Sequence, residues 1–205
     1  MEQFLIFKDM ARKKKSTRPL RPVLPYIIGA GITEKYYFGH LKRECNYQVE
    51  VRPKFFGSDN AYDMQKWVEN ALSIGGTVIC VFDMDTTRWD EAEKIRKERF
   101  LSIYGSNPDV FLCGSMPSIE YWFLLHFERT NCYYETSEKV IQKLRNHIPF
   151  EKTEKFLSKP GWVETLLAEG RMLQAMRNMD ELGTDGESYT HIPDAIRFLE
   201  KDKKK

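Results

Sequence analysis

The chain has 205 residues, of which 30% are charged and 41% are hydrophobic, a composition that favours a soluble globular protein over a disordered one. Its 32 basic and 30 acidic residues leave a formal net charge of +2, so charge alone does not indicate a nucleic-acid-binding protein. No apolar run approaches the roughly 18 residues that a membrane-spanning helix needs, and no secretory signal is evident.

Basic residues crowd both ends of the chain, in 12–21 and 201–205. They form either solvated, flexible tails or arms that contact phosphates, and the sequence leaves both possibilities open. The four cysteines are far apart and include no Cys-x-x-Cys pair, which predicts reduced thiols in a cytoplasmic protein.

The first predicted elements are a strand and a helix joined by a glycine-rich turn. Residues 26–28 are apolar and precede Gly29-Ala30-Gly31, which is typical of a buried strand that ends in a tight turn. Thr33 is then expected to cap a helix over 34–43.

The middle of the chain predicts the centre of a sheet. Alternation over 47–56 indicates a second strand, and apolar spacing over 59–72 indicates a helix. The β-branched run 77–82 is apolar almost throughout, which is typical of a parallel strand buried on both faces. It is followed by Asp83-Met84-Asp85.

Strands and helices continue to alternate after this point. The pattern predicts a helix over 89–103, a strand over 109–113 and a helix over 119–127, and it is helical from 136 onward. Such alternation predicts an α/β fold with a mainly parallel, Rossmann-like sheet flanked by helices and a C-terminal helical region.

The domain organisation follows from these elements. A basic leader is expected over 1–21, an α/β domain over 22–128, a helical region over 129–200 and a basic tail over 201–205.

Asp83 and Asp85 form the sharpest chemical signal. Residues two apart on a strand point to the same face, and this pair follows the most buried strand, at the edge where open α/β sheets bind ligands. Two adjacent carboxylates repel each other unless a cation joins them, and Mg²⁺ prefers such hard oxygen ligands. The alternative is a loop start at which both aspartates bond backbone N–H groups.

Two glutamates open helices near the same edge. Glu34 would face the aspartates if the first and third strands are neighbours, and Glu120 begins the helix after the fourth strand. Each could instead serve only to complement its helix dipole, an effect below about 1 kcal/mol.

Three blocks and a closing motif carry a resemblance to a known family. They are Gly-Ile-Thr-Glu-Lys-Tyr-Tyr-Phe at 31–38, Val-Phe-Asp-Met-Asp at 81–85, Ser-Met-Pro-Ser-Ile-Glu-Tyr-Trp-Phe-Leu-Leu-His-Phe at 115–127 and Tyr-Thr-His-Ile at 189–192. In this order they resemble the RloB-like proteins of bacterial phage-defence loci. The resemblance implies a Toprim-like fold similar to nucleases that act with an ATPase in abortive infection.

The implied activity is hydrolysis of RNA or DNA with Mg²⁺ or Mn²⁺. Asp83, Asp85 and Glu34 would hold the metal, and Glu120 would be an auxiliary acid. Lys35, Arg88 and His126 are weaker candidates for phosphate contacts, although His126 ends an apolar helix and could serve only in packing. The implied partners are nucleic acid, an AAA- or ABC-type ATPase encoded nearby and a further copy of the chain, with no membrane.

One position departs from the family's pattern. A Glu-Gly pair usually precedes Thr-Glu at the end of the first strand, and here Ala30 stands in place of the glutamate. Toprim enzymes use that acid as a metal ligand or general acid/base. A second hypothesis therefore remains, in which the chain is a catalytically degenerate binding or regulatory subunit of an ATPase-associated complex.

Overall fold

The computed structural model describes residues 23–29, 31–52 and 61–203. Residues 1–22, Ala30, residues 53–60 and residues 204–205 lie outside this range, so the predictions made for them are untested. In chain order the elements are β1 (Tyr26–Gly29), α1 (Ile32–Glu44), β2 (Glu50–Val51), α2 (Ala61–Ser73), β3 (Val78–Asp83), α3 (Glu91–Tyr104), β4 (Val110–Met116), α4 (Glu120–Leu124), α5 (Ser137–Leu144), α6 (Glu154–Leu157), α7 (Gly161–Leu167), α8 (Arg171–Leu182), β5 (Tyr189–Thr190) and α9 (Ile192–Asp202).

The strands form one sheet in the order β2-β1-β3-β4-β5. The first four are parallel, with Gly29 opposite Val81 and Asp83 opposite Ser115, whereas β5 runs antiparallel to β4. The predicted α/β class, with a mostly parallel sheet and a C-terminal helical region, is therefore confirmed. The neighbouring positions of β1 and β3 also meet the condition on which Glu34 was expected near Asp83.

Helices cover both faces of this sheet, which explains the unbroken apolar run of β3. Cys80 and Phe82 pack in a core cluster with residues of α2 and α3, while Ile79 and Val81 pack in a larger cluster on the opposite face. Alternate residues of a strand point to opposite faces, so β3 is apolar on both.

The larger cluster joins the sheet to the C-terminal region. It contains Ile27 of β1 and Trp122 of α4 together with Leu144 of α5, Val163 of α7 and Leu199 of α9. The C-terminal helices thus share a core with the strands, and the predicted boundary at residue 128 remains a prediction.

Several predicted bounds differ from the structure. The second strand was expected over 47–56, but only Glu50–Val51 pairs among the described residues, and 53–60 lie outside them. The region after residue 136 was expected to be helical, yet Tyr189–Thr190 adds a strand to the sheet edge. Two residues are too few to show a periodic pattern in the sequence. Their strand conformation depends on pairing with β4, which is distant along the chain.

The first helix also begins earlier than expected. Thr33 was predicted to cap it, but α1 starts at Ile32 and Gly31 is the cap, without a side-chain hydrogen bond. The Thr33 hydroxyl instead donates to Glu120. Within the part of the chain that the structure describes, no helix is long and apolar enough to cross a membrane.

Candidate functional site: an acidic cluster at the carboxyl edge of the sheet

Glu34 reaches the sheet because two glycines leave space for it. It lies in the first turn of α1 and is 3% exposed. A Cβ atom at Gly29 would lie 2.7 Å from the Cβ of Glu34, and one at Gly31 would lie 2.8 Å from its Oε2. The glycines therefore allow α1 to bring this carboxylate against the end of β1.

Asp83 is the last residue of the central strand and is held at two points. Its Oδ1 accepts a hydrogen bond of 2.9 Å from the backbone N–H of Ile119, and its carbonyl accepts one of 2.6 Å from Lys97 Nζ. Burial, followed by repulsion from Glu34 and Glu120, raises the pKa of this carboxyl well above its ordinary value. Lys152 and the Ile119 N–H oppose this shift without cancelling it.

Glu120 is fully buried and has three partners. Ser118 Oγ donates to its Oε2 at 2.6 Å, and Thr33 Oγ1 donates to its Oε1 at 3.3 Å. Lys152 Nζ lies 3.2 Å from the same Oε1. Asp83 interacts electrostatically with both other predicted acids, Glu34 and Glu120, although the three come from separate elements.

Lys152 belongs to this site and was missed from the sequence. Burial alone lowers the pKa of its ammonium, but the carboxylates of Glu120, Asp83 and Glu34 outweigh burial, and the net shift is upward. The residue lies in the connection between α5 and α6, far along the chain from the acids. A single lysine in a charged loop has no pattern that would distinguish it from a surface residue.

Asp85 does not continue the strand. It begins a short 3₁₀ helix, Asp85–Arg88, and its backbone N–H donates to the Pro117 carbonyl at 3.0 Å. The alternation expected between Asp83 and Asp85 therefore does not apply, because β3 ends at Asp83. A metal-ligating role for Asp85 remains a prediction.

The side chains of Arg88 and Lys35, which were predicted to contact phosphate, lie against other groups of the protein. Arg88 donates to the carbonyls of Tyr134, Glu135 and Glu187 at 2.7 to 2.9 Å, so its guanidinium ties the 3₁₀ turn to two loops. Lys35 is half-buried, and its Nζ lies 4.9 Å from the centre of the Tyr36 ring.

His126 lies in the interior rather than on the surface. It is 2% exposed, and its Nδ1 lies 2.9 Å from the Trp122 carbonyl oxygen, while its ring packs 4.6 Å from the Trp122 indole. Burial is the main cause that lowers the pKa of His126 to about 4. A ring enclosed in this way is not placed to contact a nucleic-acid phosphate, so the packing alternative describes it better.

The donor chemistry suits a hard divalent cation. Among the described residues, no group of three or more His, Cys, Asp or Glu side chains is arranged to enclose a metal ion. Mg²⁺, however, is usually held by one or two carboxylates together with waters and substrate phosphates. Glu34 and Asp83 supply such oxygens at a place where negative charges repel one another.

The fold and the cluster define an α/β protein with buried acids at the carboxyl edge of a mainly parallel sheet. The model of the RloB-like protein family matches residues 26–199, and the chain belongs to this family. The resemblance in the sequence blocks is thereby confirmed. No curated protein and no solved structure matches the chain.

Proposed function

We propose that the chain is a Mg²⁺-dependent, Toprim-like nuclease that hydrolyses phosphodiester bonds of RNA or DNA in bacterial anti-phage defence. The supporting observation is the convergence of three acids from three elements, with Glu34 and Glu120 buried and Asp83 half-buried beside them. Burying like charges together is destabilising, so the arrangement suggests a role other than stability.

Each residue of the site has a separate proposed role. Asp83 and Glu34 would hold Mg²⁺ or Mn²⁺, with Asp85 as a further candidate ligand. A bound cation of this kind polarises the scissile phosphate and lowers the pKa of a water molecule. The Ile119 N–H orients the Asp83 carboxylate, and Ser118 orients Glu120, the auxiliary acid.

A surface groove beside Arg88 is the proposed surface for the nucleic acid. It has a volume of about 560 Å³ and is lined by Tyr133, Lys139 and Lys143, among others. Tyr133 is 53% exposed, and the Arg88 guanidinium lies 4.8 Å from its ring centre. An exposed aromatic ring beside ammonium groups suits base stacking and phosphate contacts on a single strand. Of the phosphate contacts predicted from the sequence, Arg88 borders this groove through Tyr133, and a contact by Lys35 remains a prediction.

Cleavage assays test the activity. Plasmid, linear DNA and tRNA should be incubated with Mg²⁺ or Mn²⁺ and the natural chain, Asp83→Asn or a control, Asp109→Asn. Asp109 is exposed and lies before β4, at the opposite end of the sheet. We expect cleavage by the natural chain and the control but not by Asp83→Asn. Equal cleavage by all three would show a contaminating nuclease.

Thermal melts test the metal separately from the chemistry. A ligand that binds only the folded state stabilises it by about 2.7 kcal/mol when its free concentration is a hundred times its dissociation constant. Millimolar Mg²⁺ or Mn²⁺ should therefore raise the Tm of the natural chain and leave that of Asp83→Asn unchanged. A Tm that ignores the metal in both proteins would rule out this metal site.

The second candidate is a degenerate binding or regulatory subunit under the control of an ATPase partner. Two observations favour it: Ala30 stands where the resembled pattern has an acid, and the Lys152 ammonium already neutralises part of the cluster. Ala30→Glu distinguishes the two candidates. Cleavage only by this variant favours the binding subunit, whereas cleavage by the natural chain shows that the alanine is tolerated.

A further inference from the structure

We infer that the Lys152 ammonium and a divalent cation are alternative counter-charges of the same carboxylate cluster, so that Lys152 must leave Glu120 before the cation binds. This inference deepens the proposed function and rests on its metal site. It assigns to Lys152 control over the affinity for the cation.

The loop that carries Lys152 is fixed on both sides. Phe150 is fully buried, and its carbonyl accepts a hydrogen bond of 3.0 Å from Arg145 Nε. Thr153 accepts the Phe156 N–H and caps α6. The backbone therefore holds the base of the Lys152 side chain near the cluster, and only the side chain has to move for the ammonium to leave.

Burial of the two partners is unequal, which makes this movement feasible. The Lys152 side chain is 40% exposed, whereas that of Glu120 is fully buried. A lysine can turn its charged end to water at low cost because its stem is long and flexible. Glu120 would not lose all its partners, since Ser118 and Thr33 also donate to it.

Electrostatics makes the two cations compete. Lys152 Nζ lies 3.2 Å from Glu120 Oε1, and Asp83 and Glu34, the proposed metal ligands, also attract its charge. Two cations within one poorly solvated cluster repel each other, and each loses part of the stabilisation that it gains alone. Simultaneous occupancy is therefore disfavoured.

Calorimetric titration of the full chain with MgCl₂ and MnCl₂ tests the competition. Lys152→Met removes the charge and keeps an unbranched side chain, and Lys152→Arg keeps the charge. Lys155→Met is the control, since Lys155 lies three residues further on and is exposed. We expect Lys152→Met to bind the ion roughly tenfold more tightly, because a nearby positive charge has been removed. Lys152→Arg and the control should stay near the natural affinity.

The outcomes separate this inference from the proposed function. If the natural chain binds the ion and Lys152→Met binds it no more tightly, the competition is refuted and the metal site stands. If only Lys152→Met binds, the competition is supported, and the natural chain fits the binding subunit better. If neither binds, both the competition and the metal site are refuted.

If a variant folds too poorly for calorimetry, a measurement without metal still tests whether Lys152 is the counter-charge of Glu120. The free energy of unfolding in EDTA should be measured for Lys152→Gln, Glu120→Gln and the double variant. We expect coupling between the two substitutions, with the double variant more stable than the sum of the single losses predicts. Strict additivity would show that Lys152 does not act as a counter-charge to Glu120, which overturns the inference.

Discussion

The close approach of β1 to α1 makes Gly29→Ala the sharpest structural test of the acidic site. The added Cβ would lie 2.7 Å from the Cβ of Glu34, whereas carbon atoms in favourable contact are about 3.5 to 4.0 Å apart. Both atoms are bonded directly to the backbone, so no side-chain rotation can separate them. Either the end of β1 or the start of α1 must move, and Glu34 must move with it.

The matched control is Gly39→Ala, in the same helix. A Cβ atom at Gly39 would meet nothing within 4 Å. Alanine is favoured over glycine inside a helix by roughly 0.5 to 1 kcal/mol, so Gly39→Ala should be neutral or stabilising. Overpacking at Gly29 should cost about 1 to 3 kcal/mol.

Thermal and urea unfolding of the two variants measure this difference. For a chain of this size each kcal/mol shifts the Tm by roughly 2 to 4 °C, so Gly29→Ala should melt several degrees below the natural protein. Its response to Mg²⁺ should also weaken, because Glu34 is displaced from Asp83. If Gly29→Ala is as stable as Gly39→Ala, the close approach of α1 to β1 is wrong.

Three further predictions concern the rest of the site. Arg88→Lys should lower the free energy of unfolding, measured in urea, by about 1 to 2 kcal/mol. An ammonium cannot reproduce the hydrogen bonds of a guanidinium that donates to three carbonyls. An unchanged urea midpoint would show that these hydrogen bonds do not stabilise the fold. His126→Leu should flatten the pH dependence of stability between about pH 6.5 and 4. Burial lowers the pKa of His126 to about 4 in the folded protein, so the unfolded chain takes up the proton at a higher pH. In the natural protein this difference should lower the free energy of unfolding by roughly 3 kcal/mol on acidification. An undiminished slope in this variant would show that other groups cause it. In EDTA at neutral pH, Asp83→Asn should raise the Tm. Burial and repulsion from Glu34 and Glu120 raise the pKa of the Asp83 carboxyl in the folded protein. Ionising this carboxyl therefore lowers the free energy of unfolding as the pH rises through that pKa, and asparagine removes the loss. The gain should shrink in acid, where Asp83 is already protonated, and a lower Tm at neutral pH would contradict this account.

Much of the fold and part of the acidic cluster could be predicted from local patterns. The apolar, β-branched run at 77–82 corresponds to β3, and the turn after residues 26–28 leads into α1. Parallel strands end at a common edge, so Glu34 and Asp83 could be brought together once β1 and β3 were assumed to be neighbours. Periodicity reports which side of an element is buried, and this property belongs to a short stretch of chain.

The rest depended on contacts between distant parts of the chain. Lys152 meets Glu120 from a loop in which Phe150 is buried in the core, and Arg88 is engaged by carbonyls of two remote loops. His126 is buried against Trp122 of α4, and its apolar neighbours in sequence did not decide between ligand and core. The sequence by itself determined the alternation of strands and helices and the position of each acid along it. Only the tertiary structure decided which charges meet, because an isolated charged side chain has no local period, and its partner is chosen by how the helices pack on the sheet.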